Sequence, residues 1–140
     1  MVVDKSEVKK WVDKNIVHYR RLFGIPHWRI SVIYDRLEGR CAAECHKDVE
    51  YEQASITIDC DNIEDVEMLE RIFKHELCHI VHSPFDLFYC SVMAWVPEGA
   101  PQDAMLNLWK KAQELTVINL ERMHHGHTDY LRTKKNVKKR

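Results

Sequence analysis

The 140-residue sequence contains no apolar stretch long enough to span a bilayer, no internal repeat and no low-complexity segment. Its formal net charge is only -1, so no overall charge draws it toward nucleic acid or a membrane surface. It shows no signal-peptide pattern, and its five cysteines are an odd number. These absences predict a protein of the reducing cytoplasm that needs no disulfides and has no membrane contact.

The composition is typical of a globular protein. Hydrophobic residues make up 45% of the sequence and charged residues 31%, and a chain of this length can bury a substantial core. We predict a single domain over residues 1–125. Residues 126–140 are rich in lysine and arginine and predict a flexible basic tail. Such a tail could touch nucleic acid or an acidic partner, but a solvated end is the commoner outcome.

The most informative stretch is the H-E-x-x-H pattern formed by His75, Glu76 and His79. Residues four apart share one helix face, so the two imidazoles can bind one metal ion. Glu76 lies about 100° round the helix from His75, placed to hold a water rather than the metal. Zinc binds imidazole and acidifies its bound water, whose proton a neighbouring carboxylate can take. The pattern predicts a metal-activated hydrolase; the alternative is a chance pairing on a surface helix.

The residues around this pattern favour a real site. Apolar residues recur at helical spacing from Ile63 to Ile80, and Glu76 falls inside that apolar face. A buried carboxylate without a partner is costly, and a metal site would explain it. We expect Asp61 or Asn62 to cap this helix. We expect Ser83, which precedes a proline, to end it by leaving the helical conformation.

The remaining chain predicts an α+β arrangement. Amphipathic spacing predicts a helix at residues 4–23, and alternation predicts strands at 28–34, 40–50 and 53–60. The short connections between these strands favour an antiparallel meander. The apolar connection at 84–102 is expected to pack, with a short helix near 87–93, and a final helix is expected at 103–123.

A catalytic zinc usually has three protein ligands, and the pattern supplies two. His82 lies about 10 Å along a straight helix from His75, too far to share the metal, and is expected to be exposed at the helix end. Glu114 lies among apolar residues, yet a helical wheel places it opposite Met105, where it could pair with Lys110. The sequence pattern alone makes Glu114 and Glu121 nearly equal candidates for the third ligand. The other possible donors are Asp86, Glu98, Asp103 and the cluster at 124–127.

Three segments together resemble small zinc metallopeptidases of the minigluzincin or SprT-like kind, many of them encoded by phages and prophages. These are H-E-L-C-H at 75–79, S-P-F-D at 83–86 and E-L-T-V-I-N-L at 114–120. The resemblance covers roughly residues 25–123, and only H-E-x-x-H is highly specific. It implies an α+β, zincin-like fold: an N-terminal helix, a small three-stranded and mainly antiparallel sheet, the active-site helix and a ligand-bearing final helix.

The resemblance also implies the roles of particular residues. Zn²⁺ would be held by His75, His79 and Glu114, with Glu76 as general base of a gluzincin-type metalloendopeptidase acting on a peptide or protein. SprT-like proteins usually use a third histidine downstream, and no matching histidine occurs before His124, so the gluzincin-like version is closer. An extended peptide would lie along a sheet edge near 55–60, with substrate-binding residues Ser55, Ile56, Thr57 and Ile58.

Several alternatives stay open. The chain could be a latent or non-catalytic zincin-fold binding module, an accessory protein of a phage or mobile element, although retention of Glu76 favours catalysis. A chain this small has little room for a deep cleft, so an activating protein partner is a further hypothesis. Cys41 and Cys45 with His46 could be half of a structural zinc site, but buried free cysteines are commoner. The oxyanion donor is unassigned among Tyr51, Tyr89 and His125.

Overall fold

The computed structural model describes the backbone of residues 3–137 and the side chains of residues 3–124. Within that range the fold is α+β, with four α-helices and a small mixed sheet of three strands. The elements in chain order are α1 (Lys5–Leu22), β1 (Arg29–Tyr34), β2 (Ala43–Asp48), β3 (Gln53–Ile58), a 3₁₀ helix (Cys60–Asn62), α2 (Val66–His82), α3 (Pro84–Met93) and α4 (Ala100–Val137).

The core forms where α1 and α2 pack against the sheet. The predicted N-terminal helix is confirmed to within a residue at each end. Its apolar face and that of α2 meet the inward side chains of β3, whose alternation buries every second residue. The side chains that are almost completely buried in this cluster include Val8, Val12, Ile56, Ile58, Leu69, Phe73 and Leu77.

The order of the strands differs from the predicted meander. β3 lies in the centre, parallel to β1 and antiparallel to β2, so the sheet is mixed rather than mainly antiparallel. Only four residues, 49–52, join β2 to β3, and these two strands form a hairpin. Eight residues, 35–42, join β1 to β2, which is enough chain to cross the width of one strand. The apolar β3 takes the buried position, and β2, with exposed Glu44, His46 and Asp48, takes an edge.

The ends of α2 also differ from the prediction. Asp65, not Asp61 or Asn62, caps the helix, because its carboxylate accepts a hydrogen bond from the N–H of Met68 at 2.7 Å. The helix ends at His82 as predicted, but Ser83 keeps a helical conformation, with φ -54° and ψ -30°. The chain turns there directly into α3, whose first residue, Pro84, needs no N–H partner.

The last two helices are longer than predicted. α3 covers Pro84–Met93, yet the expectation that this apolar segment packs is wrong for four of its large side chains, which are 51% to 89% exposed: Phe85, Leu87, Phe88 and Trp95. α4 continues helically to Val137 and packs on α2 through the fully buried Val117. The side chains of the predicted basic tail lie outside the described residues. No helix within the described residues is both long and apolar enough to cross a membrane.

Candidate metal centre

Three donor groups converge where α2 faces α4. His75 and His79 lie one turn apart on α2, and their Nε2 atoms are 3.3 Å apart. The carboxylate of Glu114 on α4 lies 3.6 Å from Nε2 of His75 and 3.3 Å from Nε2 of His79. Among the side chains that the structure describes, these three residues form the group of histidine, cysteine and acidic donors that could hold a metal ion. The predicted residues are therefore brought together.

The spacing of the three donors suits a single small cation. Zinc–nitrogen and zinc–oxygen bonds of about 2.0–2.1 Å in a tetrahedron put neighbouring ligand atoms about 3.3 Å apart. The observed separations between the donors run from 3.3 to 3.6 Å. Two imidazole nitrogens and one carboxylate oxygen are also a recurring ligand set of catalytic zinc. The residues present fit a bound metal.

The protonation of His79 suits metal binding. Burial, together with the nearby charge of His75, lowers the pKa of His79 to about 4. His79 is therefore neutral at pH 7, which is the form of histidine that binds a metal.

Glu76 is buried beside this group, as the helical wheel predicted. Its side chain lines the same cleft, and only 6% of the residue is exposed. Burial raises the pKa of Glu76 to about 7; the charge of His75 opposes this shift, while Glu114 and Glu44 add to it. A carboxyl group with a pKa near neutrality can both take and return a proton, which is the requirement for a general acid–base.

Glu121 has a different role from Glu114. Its Oε2 lies 3.2 Å from Nδ1 of His75, on the opposite side of the ring from Glu114, and its side chain is only 13% exposed. A carboxylate bound to the second nitrogen of a ligand histidine fixes the orientation and tautomer of the ring. Pattern alone left Glu114 and Glu121 level as third ligand; in the folded chain Glu114 completes the group and Glu121 orients one of its members.

The three donors open onto a cleft of about 420 Å³ between β2 and α4. Its lining comes from Ala43, Glu44, Cys45, Lys47, His75, Glu76, His79, Gln113 and Glu114. The edge strand beside the site is therefore β2. The prediction that Ser55, Ile56, Thr57 and Ile58 form a substrate-binding edge is wrong, because β3 is paired on both sides and Ile56 and Ile58 are fully buried.

A polar network at one end of the cleft was missed in the sequence. The ammonium of Lys47 lies 2.7 Å from Oδ2 of Asp86 and donates to the carbonyl of His79 at 3.2 Å. The side chain of Gln113 donates to Oδ1 of Asp86 at 3.2 Å. The sequence indicates Asp86 only as a possible metal donor. The sequence contains one indication of this network: strict alternation in β2 places the charged Lys47 on the inward side of the strand with Ala43 and Cys45, where it needs a partner.

Other predicted residues lie elsewhere. His82 is buried rather than exposed, its ring centroid is 5.2 Å from that of Phe85, and burial lowers the pKa of His82. Tyr51 and Tyr89 do not line the cleft; Tyr89 stacks on Trp109 instead. The side chain of His125 and the rest of the cluster after His124 lie outside the described residues.

The cysteines are free thiols and do not form a metal group among the described residues. Cys41 and Cys90 are exposed, and Cys45 and Cys60 are only half-buried, so the expectation that these free cysteines are buried is wrong; Cys78 on α2 is the buried one. Burial raises the pKa of Cys45 and of Cys78 to about 12. Both thiols are therefore protonated and unreactive at neutral pH.

Comparison with protein-family models, with curated proteins and with solved structures finds no match. The geometry and chemistry of the site itself are therefore the basis on which a function can be assigned.

Proposed function

We propose that the protein is a zinc-dependent peptidase of the gluzincin type, in which His75, His79 and Glu114 hold the metal. The observation that supports this most is the position of Glu76, a buried carboxyl group in the same cleft as three converging donors. Magnesium and calcium prefer sites built from oxygen ligands, whereas two imidazoles with one carboxylate favour zinc. A buried carboxyl group of raised pKa in a cleft with such donors is typical of a catalytic acid–base.

Bound zinc would acidify a water and polarise the scissile carbonyl. Glu76 accepts a proton from the attacking water while the water oxygen bonds to the carbonyl carbon. Glu76 then gives this proton to the amide nitrogen as the carbon–nitrogen bond breaks. Glu121 keeps His75 in one orientation throughout. The products are a free carboxyl group and a free amine.

The free edge of β2 is the place where we expect an extended peptide to bind. The N–H of Asp59 donates to the carbonyl of Ala42 at 2.9 Å, so these opposed residues form a hydrogen-bonded pair of the antiparallel ladder. Hydrogen-bonded and non-hydrogen-bonded pairs alternate along an antiparallel ladder, so Ala43, Cys45 and Lys47 belong to non-hydrogen-bonded pairs. Their backbone N–H and C=O groups therefore point away from β3, toward the free edge. All three residues line the cleft. A peptide added there as a further strand would cross the metal site.

The test uses the zinc-loaded protein, the variant Glu76→Gln and a mixed peptide library read by mass spectrometry. We expect the wild-type protein to cleave peptides, and Glu76→Gln to keep its zinc but to be slower by about 10²- to 10⁴-fold, the usual contribution of a general acid–base. The variant His79→Ala, a matched control, is expected to lose both zinc and cleavage. A wild-type protein that binds stoichiometric zinc but leaves every peptide intact would instead indicate a metal-containing binding module.

A further inference from the structure

Asp86 is the centre of the polar network beside the candidate metal centre. One oxygen of its carboxylate lies 2.7 Å from the ammonium of Lys47, and the other accepts a hydrogen bond from Gln113 at 3.2 Å. Lys47 also donates to the carbonyl of His79. These contacts connect β2, α3 and α4, and they reach α2 at a residue that supplies a donor to the centre.

The network is largely removed from solvent. The side chains of Lys47 and Asp86 are 11% and 20% exposed. Removing one partner of a buried pair leaves the other as an uncompensated charge, whereas surface pairs have little effect. An unneutralised Lys47 would also lie in the lining of the cleft that contains the three donors, where its positive charge would oppose a bound cation.

The hydrogen bond between Asp86 and Gln113 affects Glu114, which is the most exposed of the three donors. Glu114 follows Gln113 directly in α4, and its side chain is 52% exposed, compared with 25% for His75 and 14% for His79. Because so much of the side chain is solvated, the position of its carboxylate depends on how α4 is held against α2. Val117, about one turn further along α4, is fully buried, and the hydrogen bond between Gln113 and Asp86 holds α4 at the cleft.

We propose that Asp86 is a positioning residue for the metal centre. It holds α4 next to Glu114 through Gln113, it holds the C-terminal part of α2 at His79 through Lys47, and it neutralises the charge of Lys47. The inference rests on the metal-binding part of the proposed function and is independent of peptide hydrolysis.

A second buried ion pair provides a matched control. Lys74 and Glu70 on α2 are 2.5 Å apart, and the side chain of Lys74 is 2% exposed. Glu70 accepts a hydrogen bond from the hydroxyl of Tyr19, and neither member of the pair lines the cleft. Glu70→Ala therefore removes the carboxylate partner of a buried lysine, as Asp86→Ala does, without touching the network at the metal centre.

The experiment compares the affinities of the full chain for Zn²⁺ and Co²⁺, by chelator competition, with the absorption spectrum of the Co²⁺ form. We expect Asp86→Ala to weaken metal binding by about 10- to 100-fold, the usual effect of losing a group that orients metal ligands, and to change the Co²⁺ spectrum. Gln113→Ala should weaken binding less, and Asp86→Glu should restore most of the affinity. Glu70→Ala should lower the unfolding midpoint but leave both the affinity and the spectrum unchanged.

The opposite pattern would overturn the proposal. If Asp86→Ala destabilises the fold as Glu70→Ala does, yet binds Zn²⁺ and Co²⁺ like the wild-type protein, Asp86 is only structural. If Asp86→Ala does not fold, Gln113→Ala decides: an unchanged affinity and spectrum count against positioning through α4. Metal binding that depends on Asp86 without any peptide cleavage would refute the peptidase and leave this inference standing, whereas a wild-type chain that binds neither ion would refute both.

Discussion

Nδ1 of His75 and Oε2 of Glu121 lie 3.2 Å apart, while Nε2 of the same ring lies 3.6 Å from Glu114. Each nitrogen of the ring therefore faces its own carboxylate. A neutral imidazole has one N–H donor and one acceptor nitrogen, and a carboxylate at Nδ1 favours the proton there. The lone pair of Nε2 is then directed toward His79 and Glu114, where the metal would bind.

The two glutamates of α4 should respond differently to amide substitution. Glu114→Gln removes one of the three donors that we propose hold the zinc, so we expect the chain to lose zinc on dialysis. Glu121→Gln removes only the group that orients His75, so we expect it to retain one zinc per chain with an affinity lower by about 10- to 100-fold. Metal analysis and chelator competition measure both quantities. If Glu121→Gln loses zinc while Glu114→Gln keeps it, then Glu121 is the ligand and Glu114 is not.

The raised pKa of Glu76 predicts a pH-dependent stability of the metal-free protein. Between pH 4.5 and about 7 the folded state keeps Glu76 protonated, whereas the unfolded state ionises it. The unfolded state then binds fewer protons, so wild-type stability falls relative to Glu76→Gln as pH rises through this window. The shift corresponds to a difference on the order of 3 kcal/mol.

Urea unfolding of both proteins with a chelator present, at pH 4.5 and pH 8, measures this difference. The comparison removes the opposing effect of His79, whose lowered pKa is common to both proteins and destabilises the folded state as pH falls. A gap between wild type and variant that stays constant with pH would show that Glu76 is not desolvated.

Val117 anchors α4 to the rest of the fold, so truncating it should destabilise the protein. We expect Val117→Ala to reduce the free energy of unfolding by about 2 kcal/mol, from two lost methylene equivalents and the cavity that remains. Leu115→Ala is the matched control on the same helix; Leu115 is 55% exposed, and its truncation should change stability by about 0.5 kcal/mol or less. Equal losses in the two variants, measured by chemical denaturation, would contradict this packing of α4.

Substitutions at Cys45 test whether the peptide binds along the free edge of β2. Its N–H points toward the free edge of β2, so Cys45→Pro removes a donor that a bound peptide would use and leaves the ladder with β3 intact. We expect peptide cleavage to fall by about tenfold, the equivalent of one lost hydrogen bond of about 1.5 kcal/mol, while zinc content is unchanged. Cys45→Ala keeps the donor and is the control. Equal cleavage by the two variants would place the peptide elsewhere.

The relation between neighbours along one helix was predictable from the sequence. The spacing of His75 and His79 and the burial of Glu76 follow from 3.6 residues per turn, which acts within a single segment. The same periodicity located α1 closely and, with alternation in the strands, indicated an α+β protein. The Ser83-Pro84 pattern predicts the correct end of α2 but for the wrong reason, since Ser83 stays helical and α3 begins at once.

Relations between segments were not predictable in this way. The choice between the observed strand order and a meander depends on how much apolar area each order buries, on hairpin geometry and on the length of the connecting segments. Local alternation of apolar and polar residues gives no information on these quantities. The separate roles of Glu114 and Glu121 depend on the rotation of α4 against α2, which the packing of the two helices on each other sets. The contact of Asp86 with Lys47 joins residues 39 positions apart.

The sequence by itself determined the local chemistry: two imidazoles and a buried carboxyl group on one helix, because the periodicity of the helical backbone places them there. Only the tertiary structure decided which glutamate completes the donor group, which strand borders the cleft and which aspartate supports the site. Those outcomes arise from packing between elements distant in sequence, whose free energy is a sum over many contacts rather than a property of any one segment.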